Sequence, residues 1–177
     1  MNNYRPNKDL YYWNIAKEVA QRSTCMSVKG GAVIVKDDQI ISTGYIGAPR
    51  GTKDCFERGT CVRRMMDIPS GQRYEICRSV HAEQNAIINA ARAGVSLIGA
   101  RIYLYFVKRV NENEDKIVLA YPCFMCKKMI INSGITEFIG NNENGELVKY
   151  NVSNWVNDWK ENDLIDDKIK YEVNYKK

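Results

Sequence analysis

HAEQNAI at residues 81–87 and PCFMC at residues 122–126 are the two stretches of this sequence that decide its fold. Each lies at the start of a predicted helix. His81, Cys123 and Cys126 supply one imidazole and two thiolates, which are ligands that zinc prefers. Because a catalytic zinc site has three protein ligands and keeps a fourth position for water, we predict that these residues bind a catalytic zinc ion.

The spacing of these residues predicts that the metal lies at two helix N-termini. Cys123 and Cys126 are three residues apart and share one helix face. His81 and Glu83 are two residues apart, so they can converge only at the first turn of a helix. Pro122 suits a first helical turn, which does not need its missing N–H. The positive ends of both helix dipoles then favour the thiolates and a metal-bound hydroxide.

Glu83 is the acidic residue that this arrangement leaves free of the metal. A carboxylate beside a zinc-bound water can accept its proton, donate one to a ring nitrogen and return one to a leaving amine. Zinc lowers the pKa of bound water toward about 7, which supplies hydroxide at neutral pH. The pairing of H-x-E with P-C-x-x-C is the signature of nucleobase deaminases.

Other interpretations exist for each half of the pattern. A Cys-x-x-Cys pair by itself is often a structural zinc site or a redox pair, and a single histidine at a helix start is often a cap or a core residue. Here the histidine is the only one in the chain, a glutamate follows two residues later, and a proline precedes the cysteine pair. The combination favours a catalytic zinc site.

The rest of the sequence predicts one α/β domain over residues 1–177, with a core at about 9–140 and a C-terminal extension at 141–177. The expected elements are a helix at 9–22 with Asp9 as its N-cap, strands at 31–36 and 39–45, a long loop at 46–77, a helix at 79–93, a strand at 101–108, a charged hairpin tip at 110–116, a helix at 122–133, a strand at 135–140, a helix around Trp155 and Trp159, and a weak strand at 169–175. Helices and strands alternate in the second half, which predicts parallel strands and a three-layer α/β/α architecture.

Composition and charge favour a cytoplasmic protein that acts on a small molecule. No apolar run approaches about 20 residues, and residues 1–8 lack the apolar stretch of a signal peptide. The net charge is +5, and the arginines of residues 58–78 and the pair Lys127 and Lys128 are interpreted mainly as solvated surface. A nucleic-acid groove needs basic residues interleaved with exposed aromatics, and no such pattern is evident, so we expect no nucleic-acid partner. Because no long apolar run is present, we expect no membrane partner either.

From about residue 13 to residue 140 the sequence resembles the deoxycytidylate (dCMP) deaminase branch of the cytidine deaminase superfamily. Beyond the two zinc segments, the resemblance is carried by RSTC at 22–25, VKGGAVIV at 28–35, GYIGAPRG at 44–51 and CKKMII at 126–131. It implies a five-stranded mixed sheet, homo-oligomers and regulation by deoxynucleoside triphosphates. It also implies zinc-dependent hydrolysis of dCMP to dUMP and ammonia, in which Glu83 shuttles protons while zinc-bound hydroxide attacks C4.

The same resemblance assigns contacts to the substrate. The backbone N–H of Ala82 is expected to meet the pyrimidine carbonyl. In the glycine-rich loop Tyr45 is a candidate contact, and Arg50 is either a phosphate ligand or a surface arginine. The family's loop commonly reads Gly-Tyr-Asn-Gly, in which the Asn is expected to hydrogen-bond the sugar, whereas this chain has Ile46. Two alternatives therefore stay open: a deaminase of a nucleoside, a nucleic-acid cytosine or a tRNA adenosine, and an inactive zinc-stabilised binding module.

Four further cysteines form a second candidate metal set: Cys25, Cys55, Cys61 and Cys77. The resemblance implies an additional zinc in this region in some family members. Four thiolates match a closed structural zinc site, and a metal would explain how the loop at 46–77 stays ordered. The alternative is a set of free cysteines, either buried or reactive.

Overall fold

A mixed sheet of six strands forms the centre of the protein in a computed structural model that describes residues 5–69, 71–111 and 113–162. The elements are α1 (Lys8–Ala20), β1 (Val28–Lys36), β2 (Gln39–Tyr45), α2 (Cys55–Arg58), α3 (Val62–Met65), a 3-10 turn (Tyr74–Ile76), α4 (Ala82–Arg92), β3 (Arg101–Arg109), β4 (Asp115–Ile117), α5 (Phe124–Asn132), β5 (Glu137–Asn141), β6 (Leu147–Asn151) and α6 (Val152–Glu161). The strand predicted at residues 169–175 lies outside the described residues. None of the described helices is both long and apolar enough to cross a membrane.

The strand order is β2-β1-β3-β5-β6, and β3 is the strand around which the sheet is organised. Its start pairs in parallel with β5, as the alternation of helices and strands predicted. Its end pairs antiparallel with β4, so the expected hairpin tip carries a short strand of its own. Antiparallel pairing joins β1 to β2 and to β3, and β5 to β6. Most of β3 is buried, which accounts for its nearly continuous apolar sequence.

Helices cover both faces of the sheet and give the predicted three layers. α1 packs on one face with alternate residues of β1 and β3, and α4, α5 and α6 pack on the other. A Cβ on Gly31 would lie 2.2 Å from the carbonyl oxygen of Ala16, so the backbones of α1 and β1 touch where only glycine fits. The sheet is thus enclosed by α1 and by the helices that bear the candidate site.

The expected N-cap of α1 was wrong by two residues. Asn7 caps the helix and accepts a hydrogen bond from the N–H of Leu10 at 2.8 Å. Asp9 instead accepts a hydrogen bond from the hydroxyl of Tyr103 at 2.8 Å and forms an ion pair with Lys149 at 3.2 Å. Asn and Asp are both good N-cap residues. Asp9 does not serve as the cap because its carboxylate is bound by side chains of the sheet beneath the helix.

The start of α4 is fixed directly against the end of β2. A Cβ on Gly44 would lie 2.4 Å from the carbonyl oxygen of Ala82, so no other residue fits there without a shift of the helix. The side chain of Asn85 donates a hydrogen bond to the carbonyl of Tyr45 at 2.7 Å and adds a second link. These contacts set the height and direction of the helix that carries His81 and Glu83.

The long loop at residues 46–77 is held by its own arginines. Arg63, Arg64 and Arg78 donate hydrogen bonds to backbone carbonyls at 2.6, 3.3 and 2.5 Å, and two of the three acceptors lie within the loop. Interpreting this basic stretch as solvated surface was therefore incomplete. Guanidinium groups take over part of the backbone hydrogen bonding that regular structure would otherwise supply.

The C-terminal extension adds β6, which the sequence did not predict, and α6, which it did. Trp155 is 6% exposed and packs against Phe138 of the core. Lys127, expected at the surface, is 2% exposed, and its ammonium lies 4.9 Å from the ring centroid of Tyr121 and 5.2 Å from that of Trp155. The ring of Trp159 completes this group at 5.5 Å. The extension therefore packs on the helix that bears both cysteines of the candidate metal site.

Trp155→Ala tests whether the extension and the core fold as one unit. Removal of this buried ring should lower the free energy of unfolding by about 3–5 kcal/mol because it leaves a cavity beside Phe138. Urea unfolding followed by circular dichroism measures the change, and Asn154→Ala, at an exposed neighbour on the same helix, is the control. A stability equal to that of the parent would show that α6 does not support the core.

Candidate metal centre and active site

The structure brings His81, Cys123 and Cys126 together. Their ligand atoms all lie within 4.8 Å of one another, and Nδ1 of His81 is 3.4 Å from each of the two Sγ atoms. Zinc bonds of about 2.0–2.3 Å in tetrahedral geometry place neighbouring ligand atoms about 3.6 Å apart. The donor atoms and their spacing therefore fit a zinc ion.

Both halves of this centre lie at helix N-termini. His81 is the N-cap of α4 and Cys123 is the N-cap of α5, each with extended backbone, while Cys126 lies in the first turn of α5. Pro122 precedes the cap, so its expected place inside the first helical turn was wrong by two residues. The side chain of Gln84 accepts a hydrogen bond from the N–H of His81 at 3.1 Å and fixes the start of α4. Sequence reasoning missed this role, although a Gln three residues after an N-cap is a known signal.

The two thiols have very different proton affinities. A hydrogen bond from the thiol of Cys126, helped by His81, lowers the pKa of Cys123 to about 4. The same hydrogen bond and burial raise the pKa of Cys126. Burial alone lowers the pKa of His81, but the hydrogen bond and charge of Cys123 outweigh burial and raise it. The site thus favours the thiolate of Cys123 over that of Cys126.

Glu83 lies beside this centre and outside its ligand set. Among the described residues, His81, Cys123 and Cys126 are the one group with metal-ligand spacing. Glu83 is 5% exposed, and burial raises its pKa while its side chain interacts with Cys126. A buried carboxyl group next to a metal position, with a raised pKa, can both accept and donate a proton.

Two of the expected substrate contacts, Ala82 and Tyr45, fall around the same helix start, whereas Arg50 lies beside a later part of α4. Ala82 is fully buried and is the first residue of α4, so its N–H has no acceptor within the helix. Tyr45 and Arg50 follow on the β2 side and are exposed. The guanidinium of Arg50 donates a hydrogen bond to Oδ1 of Asn89 at 2.7 Å, which holds it beside α4.

Ile46 is 6% exposed and belongs to the apolar core. Its Cδ1 lies 2.6 Å from the position that a Cβ on Gly30 would occupy, and the ring of Phe106 lies 3.2 Å from the same position. The isoleucine therefore fills space above a glycine of β1.

The second cysteine set is gathered in one region but does not reach ligand spacing among the described residues. Burial raises the pKa of Cys55, and the neighbouring thiols of Cys25 and Cys61 add to this effect. Burial likewise raises the pKa of Cys77, again with contributions from Cys25 and Cys61. The four thiols are therefore close enough to interact electrostatically.

Tyr74 is the residue near the centre that sequence reasoning missed. Its ring centroid lies 4.9 Å from that of His81, with the two rings nearly perpendicular at 85°. The guanidinium carbon of Arg63 lies 4.8 Å from the Tyr74 centroid. Arg63 lies in α3 and Tyr74 in the 3-10 turn, and both elements are too short to show a hydrophobic period that would point to this contact.

Comparison with known proteins gives consistent matches. The family model for the cytidine and deoxycytidylate deaminase zinc-binding region matches residues 6–141. The deoxycytidylate deaminase of Mycobacterium phage D29 is 38% identical over 140 residues, which cover 76% of this chain and 94% of that protein. The deoxycytidylate deaminase of Schizosaccharomyces pombe is 33% identical over 138 residues, which cover 78% of this chain but only 38% of that protein.

Among solved structures, the apo dCMP deaminase of cyanophage S-TIM5 has a TM-score of 0.55 and is 24% identical in sequence to this chain. The match covers 78% of this chain and 86% of that protein chain. This likeness supports the fold. The family match spans most of the chain and includes every residue of the His81, Cys123 and Cys126 centre. The chain therefore belongs to the cytidine and deoxycytidylate deaminase family, whose members are hydrolases that act on carbon–nitrogen bonds.

Proposed function

We propose that this protein is a zinc-dependent deaminase that hydrolyses dCMP to dUMP and ammonia. The observation that carries the proposal is the convergence of His81, Cys123 and Cys126 with Glu83 buried beside them and outside the ligand set. The relatives named deoxycytidylate deaminase, including one that the chain covers almost completely, favour a cytosine nucleotide as substrate.

Each residue has a chemical role in this reaction. Zinc held by His81, Cys123 and Cys126 supplies the Lewis acidity that makes water nucleophilic at neutral pH. Glu83 would accept a proton from the attacking water and pass it to the pyrimidine ring nitrogen. It would then take the proton of the hydroxyl added at C4 and give it to the amine, which leaves as ammonia while C4 keeps the oxygen as a carbonyl. The N–H of Ala82 donates to the pyrimidine carbonyl and orients the ring. Burial of Glu83 strengthens these interactions because little water competes for them.

Two observations support this proposal over a polynucleotide substrate and over an inactive binding module. A polynucleotide substrate needs a basic channel whose side chains face the phosphates, whereas Arg63, Arg64 and Arg78 each direct a hydrogen bond to a backbone carbonyl. An inactive binding module would have no use for a buried carboxyl group beside the thiols, and Glu83 is such a group. Two expectations drawn from the resemblance, homo-oligomers and regulation by deoxynucleoside triphosphates, stay predictions. So does a reducing, cytoplasmic location, which the six free thiols favour.

We also propose a second, structural zinc bound by Cys25, Cys55, Cys61 and Cys77. The supporting observation is that Cys25 and Cys61 lie near enough to both Cys55 and Cys77 to contribute to the raised pKa of each. A cation among these thiols would remove their mutual repulsion and draw them to ligand spacing.

Glu83→Gln should preserve zinc content and fold but reduce kcat by about 10²–10⁴-fold, because the amide cannot shuttle protons. Ammonia release from dCMP and metal analysis of the same sample measure both effects. Glu18→Gln, at an exposed position of α1 on the opposite face of the sheet, is the control. Turnover comparable to the parent would show that Glu83 does not have the assigned role.

Arg50→Met should raise KM for dCMP by about 10-fold or more and leave deoxycytidine turnover nearly unchanged, because only the nucleotide carries a phosphate for the guanidinium. Initial rates on dCMP, deoxycytidine and single-stranded DNA measure this preference, with Arg92→Met at an exposed site on α4 as control. Faster turnover of single-stranded DNA, falling steeply with salt, would contradict the nucleotide assignment.

Metal analysis of freshly purified, reduced protein should give two zinc ions per chain. Cys61→Ser should reduce this content to one and leave the His81 centre loaded, because the two sets share no ligand. A content of one zinc in the parent protein would end the proposal of a second metal site.

A further inference from the structure

The long loop at residues 46–77 sends an aromatic ring to the metal centre. Tyr74 lies in the short 3-10 turn just before α4. Its ring meets that of His81 at a centroid distance of 4.9 Å and an interplanar angle of 85°. Perpendicular aromatic pairs at this distance attract each other beyond the effect of burial alone. One metal ligand is therefore supported from outside the ligand set.

Tyr74 is itself held by Arg63. The guanidinium carbon lies 4.8 Å from the Tyr74 centroid, and Nη2 donates a hydrogen bond to the carbonyl of Pro69 at 2.6 Å. Nε of Arg63 is buried and has no hydrogen-bond partner among the described residues. A guanidinium group that is partly shielded from water, as Arg63 is at Nε, interacts more strongly with the face of an aromatic ring. Loop, arginine, tyrosine and histidine thus form one continuous chain of contacts.

We propose that Tyr74 and Arg63 are positioning residues that hold the His81 imidazole in the orientation needed to bind zinc. The inference rests on the proposed zinc site and extends it to the loop. Contacts outside the ligand set orient metal-binding histidines, and loss of a perpendicular aromatic contact is expected to speed zinc release by about 3–10-fold. Nδ1 of His81 must face both thiols, so rotation of the ring away from Tyr74 would remove a ligand.

The alternative role for Tyr74 is simple filling of space under the loop. Tyr74→Phe keeps the ring, Tyr74→Leu keeps much of the volume without the ring, and Arg63→Met removes the cation. A role in packing alone predicts that Tyr74→Leu changes stability but not the state of the imidazole. A positioning role predicts that the imidazole responds, that Tyr74→Phe restores it, and that Arg63→Met weakens it.

His81 is the only histidine of the chain, so nitrogen-15 labelling of histidine reports on this ring alone. We would load the full-length protein with zinc, add excess chelator, and follow the metal-bound imidazole signal by NMR. The signal should disappear about 3–10-fold faster in Tyr74→Leu, within about 1.5-fold of the parent rate in Tyr74→Phe, and at an intermediate rate in Arg63→Met. Any zinc at the other cysteines does not enter this measurement.

Matched controls are Tyr11→Leu, an exposed tyrosine of α1, and Arg58→Met, an exposed arginine of the same loop, and both should release zinc at the parent rate. A parent-like rate in Tyr74→Leu overturns the inference, even if its turnover falls. Should Tyr74→Leu not fold, Arg63→Met decides: faster release supports the inference and a parent-like rate overturns it. If His81 of the parent protein never binds zinc, both the inference and the proposed function are wrong. If the parent binds zinc normally and the Tyr74 variants release it at the parent rate, only the positioning role is wrong.

Discussion

The meeting of two helix N-termini is the constraint on which the rest of the structure depends. α4 and α5 present one imidazole and two thiols to a single point, with Nδ1 of His81 3.4 Å from both sulfurs. Two thiolates this close would repel each other, and in keeping with this the pKa of Cys123 is lowered while that of Cys126 is raised. The positive helix ends offset part of the charge, and a bound divalent cation would offset the rest. The arrangement is therefore well suited to a metal ion.

The elements packed around the two helix N-termini hold them in place and exclude water from the site between them. Gly44 lets α4 lie against β2 backbone to backbone, so the height of His81 above the sheet cannot vary freely. On the other side, Lys127 of α5 packs against the ring of Tyr121 and the two tryptophan rings of α6. Glu83 is buried between these supports, and the same desolvation that raises its pKa also excludes water that would compete for its protons. Stability and chemistry therefore rest on the same contacts.

The sequence predicts what local spacing encodes. The candidate zinc ligands, both of their helices and the parallel pairing of β3 with β5 follow from short motifs and hydrophobic periodicity. β6 was missed because none of its residues is fully buried and its sequence, LVKYN, lies among polar residues that are typical of a loop. The buried state of Lys127 and the contact of Tyr74 with His81 were missed for a different reason. The burial of Lys127 depends on the tryptophans of α6, far along the chain. Tyr74 meets His81 across an irregular segment, where no periodic pattern applies.

Ile46 shows how such a long-range contact changes the meaning of a motif. From the sequence, an isoleucine in place of the family's Asn suggested a lost hydrogen bond to the sugar and therefore an altered pocket. In the structure its side chain fills the space above Gly30 and beside Phe106. An amide in that volume would be a polar group among apolar neighbours and would need a partner of its own. Ile46 and Gly30 are thus a complementary pair within the core, so the departure from the family pattern has a packing explanation that leaves His81, Glu83 and both cysteines intact.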